Sequence, residues 1–183
     1  MKKYLIFLVA LVNVLVACNN NEKEEIIFPN ETKAFINKEV FTPSKSVAVK
    51  AGLLVGGVEI DMQNNPDLVP VIAILALFAE SEIVLRHINR LQIKESDRLK
   101  GIITAFELIG AEYICEDDYL KVSPLQNEPG VVTLDTQNDH RLVMAFTLLQ
   151  LHFPQISLSE GKSVVKSCPE FYPELASLKK LNS

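Results

Sequence analysis

The chain has 183 residues, of which 48% are hydrophobic and 22% are charged, and its formal net charge at pH 7 is −5. This length and hydrophobic content are sufficient for one folded domain with a core. The negative charge, in a sequence without interleaved basic and aromatic residues, argues against a nucleic-acid-binding surface.

The N-terminal segment has the pattern of a bacterial lipoprotein signal. Met1-Lys2-Lys3 is basic, residues 4–16 are apolar but too few for a usual membrane span, and a small-residue processing site ends at Cys18. We therefore predict a signal over residues 1–18 and a lipid on Cys18 as the chain's only contact with a membrane. The polar residues that follow predict a linker over 19–45. The alternatives are a buried N-terminal strand and a start codon placed too early.

Residues 46–183 alternate between strand and helix patterns, with a further strand near 47–49. The first series predicts a strand, a helix, a strand, a helix and a hairpin, over residues 58–62, 68–79, 82–85, 99–109, 112–115 and 119–122. The second predicts a strand, a helix, a strand and a helix, over residues 131–134, 139–151, 156–158 and 169–179. This alternation predicts an α/β fold.

The stretch Lys94-Glu95-Ser96-Asp97-Arg98 lies where an apolar run gives way to a helix pattern. It places two cations and a carboxylate beside the free N–H groups of a helix start, which attract negative charge. The pattern predicts an anion site with Glu95 available for proton transfer. The alternative is a solvated first turn that Ser96 or Asp97 caps.

Three other predicted helix starts carry charge suited to such a site. Arg141 lies in the first turn of the helix that Asn138 or Asp139 caps, a position where ordinary helices favour acids. Lys166 precedes the last helix, and Asp67 offers a carboxylate at the start of the first. Two of these three starts therefore add a cation, and one adds an acid.

Convergence of the four helix starts would create one binding site. Consecutive β-α units place helix starts along one edge of a sheet, where ligands of α/β proteins bind. The charged residues that would meet there are Lys94, Arg98, Arg141, Lys166, Asp67 and Glu95. The cations suit phosphate or carboxylate ligands, and the carboxylates suit proton transfer. The alternative is that each cation pairs with a nearby acid on the surface, which contributes roughly 0–1 kcal/mol.

Four motifs carry these residues. They are Asp61-Met62 followed by Pro66-Asp67; Lys94-Glu95-Ser96-Asp97-Arg98-Leu99; Asn138-Asp139-His140-Arg141 with Met144-Ala145; and Lys166-Ser167-Cys168-Pro169-Glu170-Phe171. In this order, over about residues 58–178, they resemble the C-terminal part of the 5-enolpyruvylshikimate-3-phosphate synthase family, also called 3-phosphoshikimate 1-carboxyvinyltransferase. The related transferase that acts on UDP-N-acetylglucosamine shares the architecture but not the second motif.

The resemblance implies a reaction and a role for each charged residue. The family transfers the enolpyruvyl group of phosphoenolpyruvate to the 5-hydroxyl of shikimate 3-phosphate, on the route to chorismate and the aromatic amino acids. Asp67 would accept the hydroxyl proton, and Glu95 would exchange a proton with the methylene carbon of phosphoenolpyruvate. Lys94 would bind shikimate 3-phosphate. The residues that would hold phosphoenolpyruvate are Arg98, Arg141 and Lys166.

The resemblance implies no metal or organic cofactor. The three histidines show no metal-ligand spacing, and the three cysteines show no paired spacing. The sequence therefore predicts no metal site.

The resemblance also implies the fold. The family has two similar domains of three βαβαββ units each, with the active site in the cleft between them. Residues 46–183 would form a partial enolpyruvyl transferase domain, with one complete unit and one incomplete unit. Because the opposing wall of the cleft has no counterpart here, we expect little or no activity from this chain alone, and a separate chain that supplies the missing domain.

The two ends of the chain predict different compartments. Phosphoenolpyruvate and shikimate 3-phosphate are cytoplasmic metabolites, whereas a lipoprotein is exported. A gene fusion, a truncated remnant or a mis-assembled reading frame would each explain both ends. Two functions remain: an enzyme or half-enzyme of the shikimate pathway, and a non-catalytic, membrane-anchored lipoprotein or relic that retains part of the fold.

Overall fold

The computed structural model describes the backbone of residues 49–50, 53–54, 56–89, 91 and 96–181, and the side chains of residues 56–89, 91 and 96–176. The predicted signal and linker, with Cys18, lie outside the described residues. So do Lys94 and Glu95.

The described elements alternate between strands and helices, which confirms the α/β prediction. The strands are β1 (Val49–Lys50), β2 (Leu53–Leu54), β3 (Val58–Asp61), β4 (Ile83–Arg86), β5 (Tyr113–Glu116), β6 (Tyr119–Val122), β7 (Val132–Leu134) and β8 (Ile156–Leu158). The helices are α1 (Val69–Ala76), α2 (Arg98–Ile109), α3 (His140–His152), α4 (Ser163–Ser167) and α5 (Phe171–Leu181), and a 3₁₀ turn, Pro66–Leu68, precedes α1. No described helix is long and apolar enough to cross a membrane.

The first series of elements, over residues 58–122, forms one mixed sheet with the strand order β3-β4-β6-β5. β3 and β4 are parallel because α1 crosses between them, whereas β6 pairs antiparallel with both β4 and β5. The chain therefore runs β3-α1-β4-α2-β5-β6, which is the predicted order. The carboxyl ends of β3 and β4 lie at the same sheet edge, since Asp61 is in register with Arg86.

The second series begins with the parallel pair β7 and β8, joined through α3. Helix α3 is buried on most of its surface, and it packs against α1, α4 and β8. Its buried residues belong to the same hydrophobic cluster as those of β4, α1 and α2. The two series therefore share one core.

The C-terminal helix begins later than predicted. Residues 163–167 form the separate short helix α4, and Lys166 lies in the last turn of α4, before α5 begins at Phe171. The break falls at Cys168, whose φ of −145° and ψ of 82° are not helical. Pro169 explains this break, because a proline disfavours the helical conformation of the residue before it.

The starts of α2 and α3 are brought together by a close approach of the two helices. A Cβ atom at Gly101 would lie 2.7 Å from Cδ1 of Leu142, so a larger residue there would require Leu142 to move. Because Gly101 has no side chain, the first turn of α3 can lie beside the first turn of α2. This contact determines which side chains can meet at the two helix starts.

Candidate active site

Three segments meet at the candidate site: the 3₁₀ turn before α1, the start of α2 and the start of α3. Asp97 is the N-cap of α2 and accepts a hydrogen bond from the backbone N–H of Lys100 at 3.0 Å. Asp139 is the N-cap of α3 and accepts one from the backbone N–H of Arg141 at 2.8 Å. The caps place Arg98 and Arg141 in the first turns of neighbouring helices.

The Asp139 carboxylate joins these two helices. Its Oδ1 atom caps α3, and its Oδ2 atom accepts hydrogen bonds from Arg98 Nε at 2.7 Å and from Ser96 Oγ at 2.8 Å. The side chain is fully buried. Burial alone would raise the pKa of Asp139, but the hydrogen bonds from Arg98 and Ser96, the charge of Arg98 and the Arg141 N–H together outweigh burial and hold the pKa below its ordinary value. Asp139 is therefore a buried anion at neutral pH.

Arg98 connects Asp139 to Asp67. Its Nη1 atom donates to Asp67 Oδ1 at 2.8 Å, and only 3% of the side chain is exposed. The other oxygen of Asp67 lies 3.6 Å from Nη2 of Arg141, whose side chain is also buried. The four charged groups thus form a chain of contacts from Asp139 through Arg98 and Asp67 to Arg141, and this set is called the carboxylate-arginine cluster below.

The cluster presents one carboxylate to solvent. Asp67 is 31% exposed, whereas Asp139 lies at the inner end and is not exposed. A carboxylate between two guanidinium groups is favoured in its ionised form, which is the form that accepts a proton. The guanidinium groups can bind an oxyanion through paired N–H donors. The cluster therefore has the chemistry for both proton transfer and anion binding.

The structure brings together three of the six predicted charged residues: Asp67, Arg98 and Arg141. The partners of Arg98 in the cluster are 31 and 41 residues away in sequence. Arg98 therefore does not form the surface pair with a nearby acid that was the alternative to a shared binding site. Lys94 and Glu95 lie outside the described residues. Lys166 is exposed on α4, and its side chain makes no hydrogen bond or ion pair within the described part of the chain.

Sequence reasoning missed the role of Asp139 as a link between helices. The available signal was its position before His140-Arg141, which indicates only a cap. The two residues before it, Gln137 and Asn138, have φ angles of 51° and 54°. Left-handed backbone at residues other than glycine stores strain and concentrates at functional sites. Two such residues in succession immediately precede Asp139, whose carboxylate contacts Arg98 of α2.

Comparisons of the sequence with known proteins point to one family. The model of the EPSP synthase family (3-phosphoshikimate 1-carboxyvinyltransferase) matches residues 5–175, a span that begins inside the predicted signal. A 3-phosphoshikimate 1-carboxyvinyltransferase of Haemophilus influenzae is 36% identical over 119 residues, which are 64% of this chain and 28% of that protein. One from Shewanella oneidensis is 35% identical over 134 residues, 72% of this chain and 30% of that protein. The chain thus spans less than a third of these relatives.

Solved structures show the same fold. A structure of EPSP synthase from Acinetobacter baumannii aligns with a TM-score of 0.58 at 23% identity, over 68% of this chain and 30% of that one. A second structure of an EPSP synthase from the same organism aligns with a TM-score of 0.54 at 19% identity. The described α/β arrangement is therefore part of the fold of these proteins.

Proposed function

Because the chain belongs to the EPSP synthase family of 3-phosphoshikimate 1-carboxyvinyltransferases, we propose that it forms one wall of a site for phosphoenolpyruvate and shikimate 3-phosphate. The proposed reaction is enolpyruvyl transfer to the 5-hydroxyl of shikimate 3-phosphate. It belongs to the shikimate pathway in the cytoplasm.

The observation that supports this proposal most strongly is the carboxylate-arginine cluster. Removing charges from water costs several kcal/mol per ion, and apolar residues of similar volume often stabilise a fold as well or better. Stability alone therefore gives little reason to bury Arg98 between two carboxylates. A ligand with two anionic substituents gives a reason, because both arginines can donate paired hydrogen bonds to oxyanions.

The proposed mechanism divides the chemistry between two carboxylates. Asp67 accepts the proton of the 5-hydroxyl as the hydroxyl oxygen bonds to the central carbon of phosphoenolpyruvate, and Glu95 delivers a proton to its methylene carbon. The resulting tetrahedral intermediate then loses phosphate: its C–O bond to phosphate breaks, Glu95 takes a proton back from the methyl group so that the carbon–carbon double bond re-forms, and the proton held by Asp67 leaves with the phosphate. Arg98, Arg141 and Lys166 hold phosphoenolpyruvate in this scheme.

The assignments of Glu95, Lys94 and Lys166 rest on the sequence resemblance. Lys94 would bind shikimate 3-phosphate. Those of Asp67, Arg98 and Arg141 have the additional support of the cluster geometry.

The described residues provide one side of such a site. The chain spans 28% to 30% of the length of its relatives, and a reaction between two anionic substrates needs groups that orient them and exclude water on every side. We propose that the opposing wall comes from outside the described residues, for example from a separate chain. Turnover by this chain alone is expected to be low or absent, although anion binding to the arginines is expected to remain.

The second candidate function is a non-catalytic, membrane-anchored lipoprotein. Its support is the basic start, the apolar stretch over residues 4–16 and the cysteine at the processing site, Cys18. A folded domain that binds neither substrate would favour this function, and the carboxylate-arginine cluster would then be inherited from the family without use.

Calorimetric titration of the full chain with phosphoenolpyruvate and shikimate 3-phosphate tests the first candidate. We expect Arg141→Ala to weaken binding about ten-fold or more, because a charge-assisted hydrogen bond contributes roughly 1.5–3 kcal/mol. The matched control is Arg86→Ala, since Arg86 is a more exposed arginine that bonds to Glu59 outside the cluster. Circular dichroism of each variant verifies that it is folded.

Two outcomes would count against the proposal. Folded wild-type protein that binds neither compound would contradict a phosphoenolpyruvate site in this chain. Binding that Arg141→Ala leaves unchanged would place the site away from the cluster.

A further inference from the structure

His87 lies between two carboxylates at the end of β4. Its Nδ1 atom is 2.8 Å from Oδ1 of Asp61, the last residue of β3, and its Nε2 atom is 3.7 Å from Oδ2 of Asp118 in the turn between β5 and β6. The backbone N–H of His87 donates to the carbonyl of Asp118 at 2.9 Å. One side chain therefore contacts two other segments of the sheet.

This arrangement favours the protonated ring. A neutral imidazole has one N–H, so if Nδ1 donates to Asp61, the lone pair of Nε2 faces the Asp118 carboxylate. Only the imidazolium ion has a donor for each carboxylate. The Oδ1 atom of Asp118 is buried without a hydrogen-bond partner among the described residues, so this carboxylate has capacity for a closer contact with the ring.

The charged groups around His87 act mostly in the same direction. The hydrogen bond to Asp61 raises the pKa of His87 above its ordinary value, and the charges of Asp61 and Asp118 add to this effect. Partial burial and the neighbouring charge of Arg86 oppose it but are outweighed. Arg86 is itself engaged by Glu59 on β3, with bonds of 2.8 and 3.2 Å.

Asp61 connects this ring to the segment that carries Asp67. Its Oδ1 atom also accepts a hydrogen bond from the backbone N–H of Gln63 at 2.9 Å, and the backbone N–H of Met62 donates to the carbonyl of Arg86 at 2.9 Å. Successive turn bonds then lead through Asn65 to Leu68. The path from His87 to the 3₁₀ turn thus consists of a short run of hydrogen-bonded backbone.

The His87 backbone indicates that this position is under constraint. Its φ angle is 58°, in the left-handed region that residues other than glycine seldom occupy. Such a conformation is strained and persists only where surrounding contacts hold it. The contacts with Asp61 and Asp118 provide that restraint.

We propose that His87 is a proton-dependent positioning residue for the candidate site. As the imidazolium ion it ties the ends of β3 and β4 and the β5–β6 turn together, and so fixes residues 62–68 with Asp67 opposite Arg98. On deprotonation the ring releases one carboxylate, and residues 62–68 become less restrained. The inference rests on the role proposed for Asp67, but its structural part is independent of any substrate.

The direction of the pH effect follows from proton linkage. A group whose pKa is higher in the folded than in the unfolded state stabilises the fold fully below its unfolded pKa, and this contribution is lost as the pH rises through the folded pKa. The ring of His87 is therefore protonated and bound to both Asp61 and Asp118 in mildly acidic solution. It loses one of these contacts at a pH above the ordinary pKa of 6.5.

Nuclear magnetic resonance of the full ¹⁵N-labelled chain tests this coupling without substrate. The His87 ring is expected to titrate with a midpoint above 6.5, and the backbone amides of residues 62–68, apart from Pro66, are expected to shift with the same midpoint. In Asp61→Asn the ring midpoint should fall by about one pH unit, because the charge that favours the imidazolium ion is gone. In His87→Gln the amides should lose this titration.

The matched control is Glu59→Gln, which removes the charge of the Arg86–Glu59 ion pair between β3 and β4 and leaves His87 in place. It should retain the shared titration of the ring and residues 62–68. Amides that do not follow the ring, or that keep the same midpoint in His87→Gln, would overturn the proposal. A failure of phosphoenolpyruvate binding would overturn the proposed function and leave this result unaffected.

Discussion

At the residue scale, Asp139 is a cap of one helix and an anchor for the arginine of another. A cap needs a single carboxylate oxygen, so the second oxygen is available for Arg98 and Ser96. The pairing compensates two buried charges at once. Removal of one partner leaves the other charged and poorly solvated, which is far more costly than the net stabilisation by the pair.

Asp139→Asn tests this dependence. The amide can still accept a bond from the Arg141 N–H, but it carries no charge to balance buried Arg98, so we expect a loss of about 3–5 kcal/mol in the free energy of unfolding. Urea denaturation at neutral pH measures this loss. Asp97→Asn is the matched control, because it alters an exposed cap with a residue that caps equally well, and it should cost about 0.5 kcal/mol or less.

The difference in stability between wild type and Asp139→Asn is also expected to depend on pH. Asp139 has a pKa below its ordinary value of 3.8, so its contribution is present above that value and is lost as the pH falls through the folded pKa. The difference in stability between wild type and Asp139→Asn should therefore narrow in acid. An unchanged difference from neutral pH to below 3.8 would contradict the assignment of Asp139 as the ionised partner.

At the element scale, α2 is limited by local signals at both ends. Asp97 caps its start, and Gly110 ends it in the left-handed conformation with a φ angle of 70°. Glycine is favoured there because a Cβ atom is disfavoured in that region. The bounds of the helix, and with them the place of Arg98 in its first turn, are thus set by local sequence signals.

Gly110→Ala is expected to lower the free energy of unfolding by about 1 kcal/mol, the cost of left-handed backbone at a residue with a Cβ atom. No atom lies within 4 Å of the added methyl group, so the backbone conformation is the only source of strain. Gly130→Ala is the control, since its Cβ also meets no atom and its φ angle is not in the left-handed region. Chemical denaturation should show Gly130→Ala to be neutral or slightly stabilising. Equal losses in both variants would contradict this explanation.

At the scale of the whole molecule, α3 is the element around which both series are packed. Its buried residues contact α1, α4 and β8, and its first turn carries Arg141. Since one hydrophobic cluster spans both series, the described part of the chain is expected to unfold in one cooperative transition.

Phe146→Ala tests the role of α3 in this core. The Phe146 side chain is fully buried, so its truncation should cost about 3–5 kcal/mol in the free energy of unfolding. Leu108→Ala is the control, because Leu108 is 51% exposed and its truncation should cost about 0.5 kcal/mol or less. Circular dichroism and tyrosine fluorescence should report the same midpoint in urea for each variant. Separate midpoints would indicate that the two series unfold independently.

The strands and the main helices could be predicted because their signals are local. Alternating burial defines strands such as β6, whose predicted and observed bounds agree, and residues 99–109 have helical periodicity between an aspartate cap and a glycine. The bounds were less accurate where local signals conflict. The last helix is the clearest case, since it was predicted from residue 169 but begins at Phe171, after the non-helical backbone of Cys168.

The sequence by itself determined the order of elements, two candidate caps each for α2 and α3, and the family motifs that place arginines at two helix starts. These depend on residues a few positions apart. Only the tertiary structure decided that Arg98 lies between Asp67 and Asp139, that Lys166 is not part of the cluster, and that His87 bridges Asp61 and Asp118. Those contacts join segments tens of residues apart. Helix packing and sheet register fix them, and neither is encoded in the spacing of any single motif.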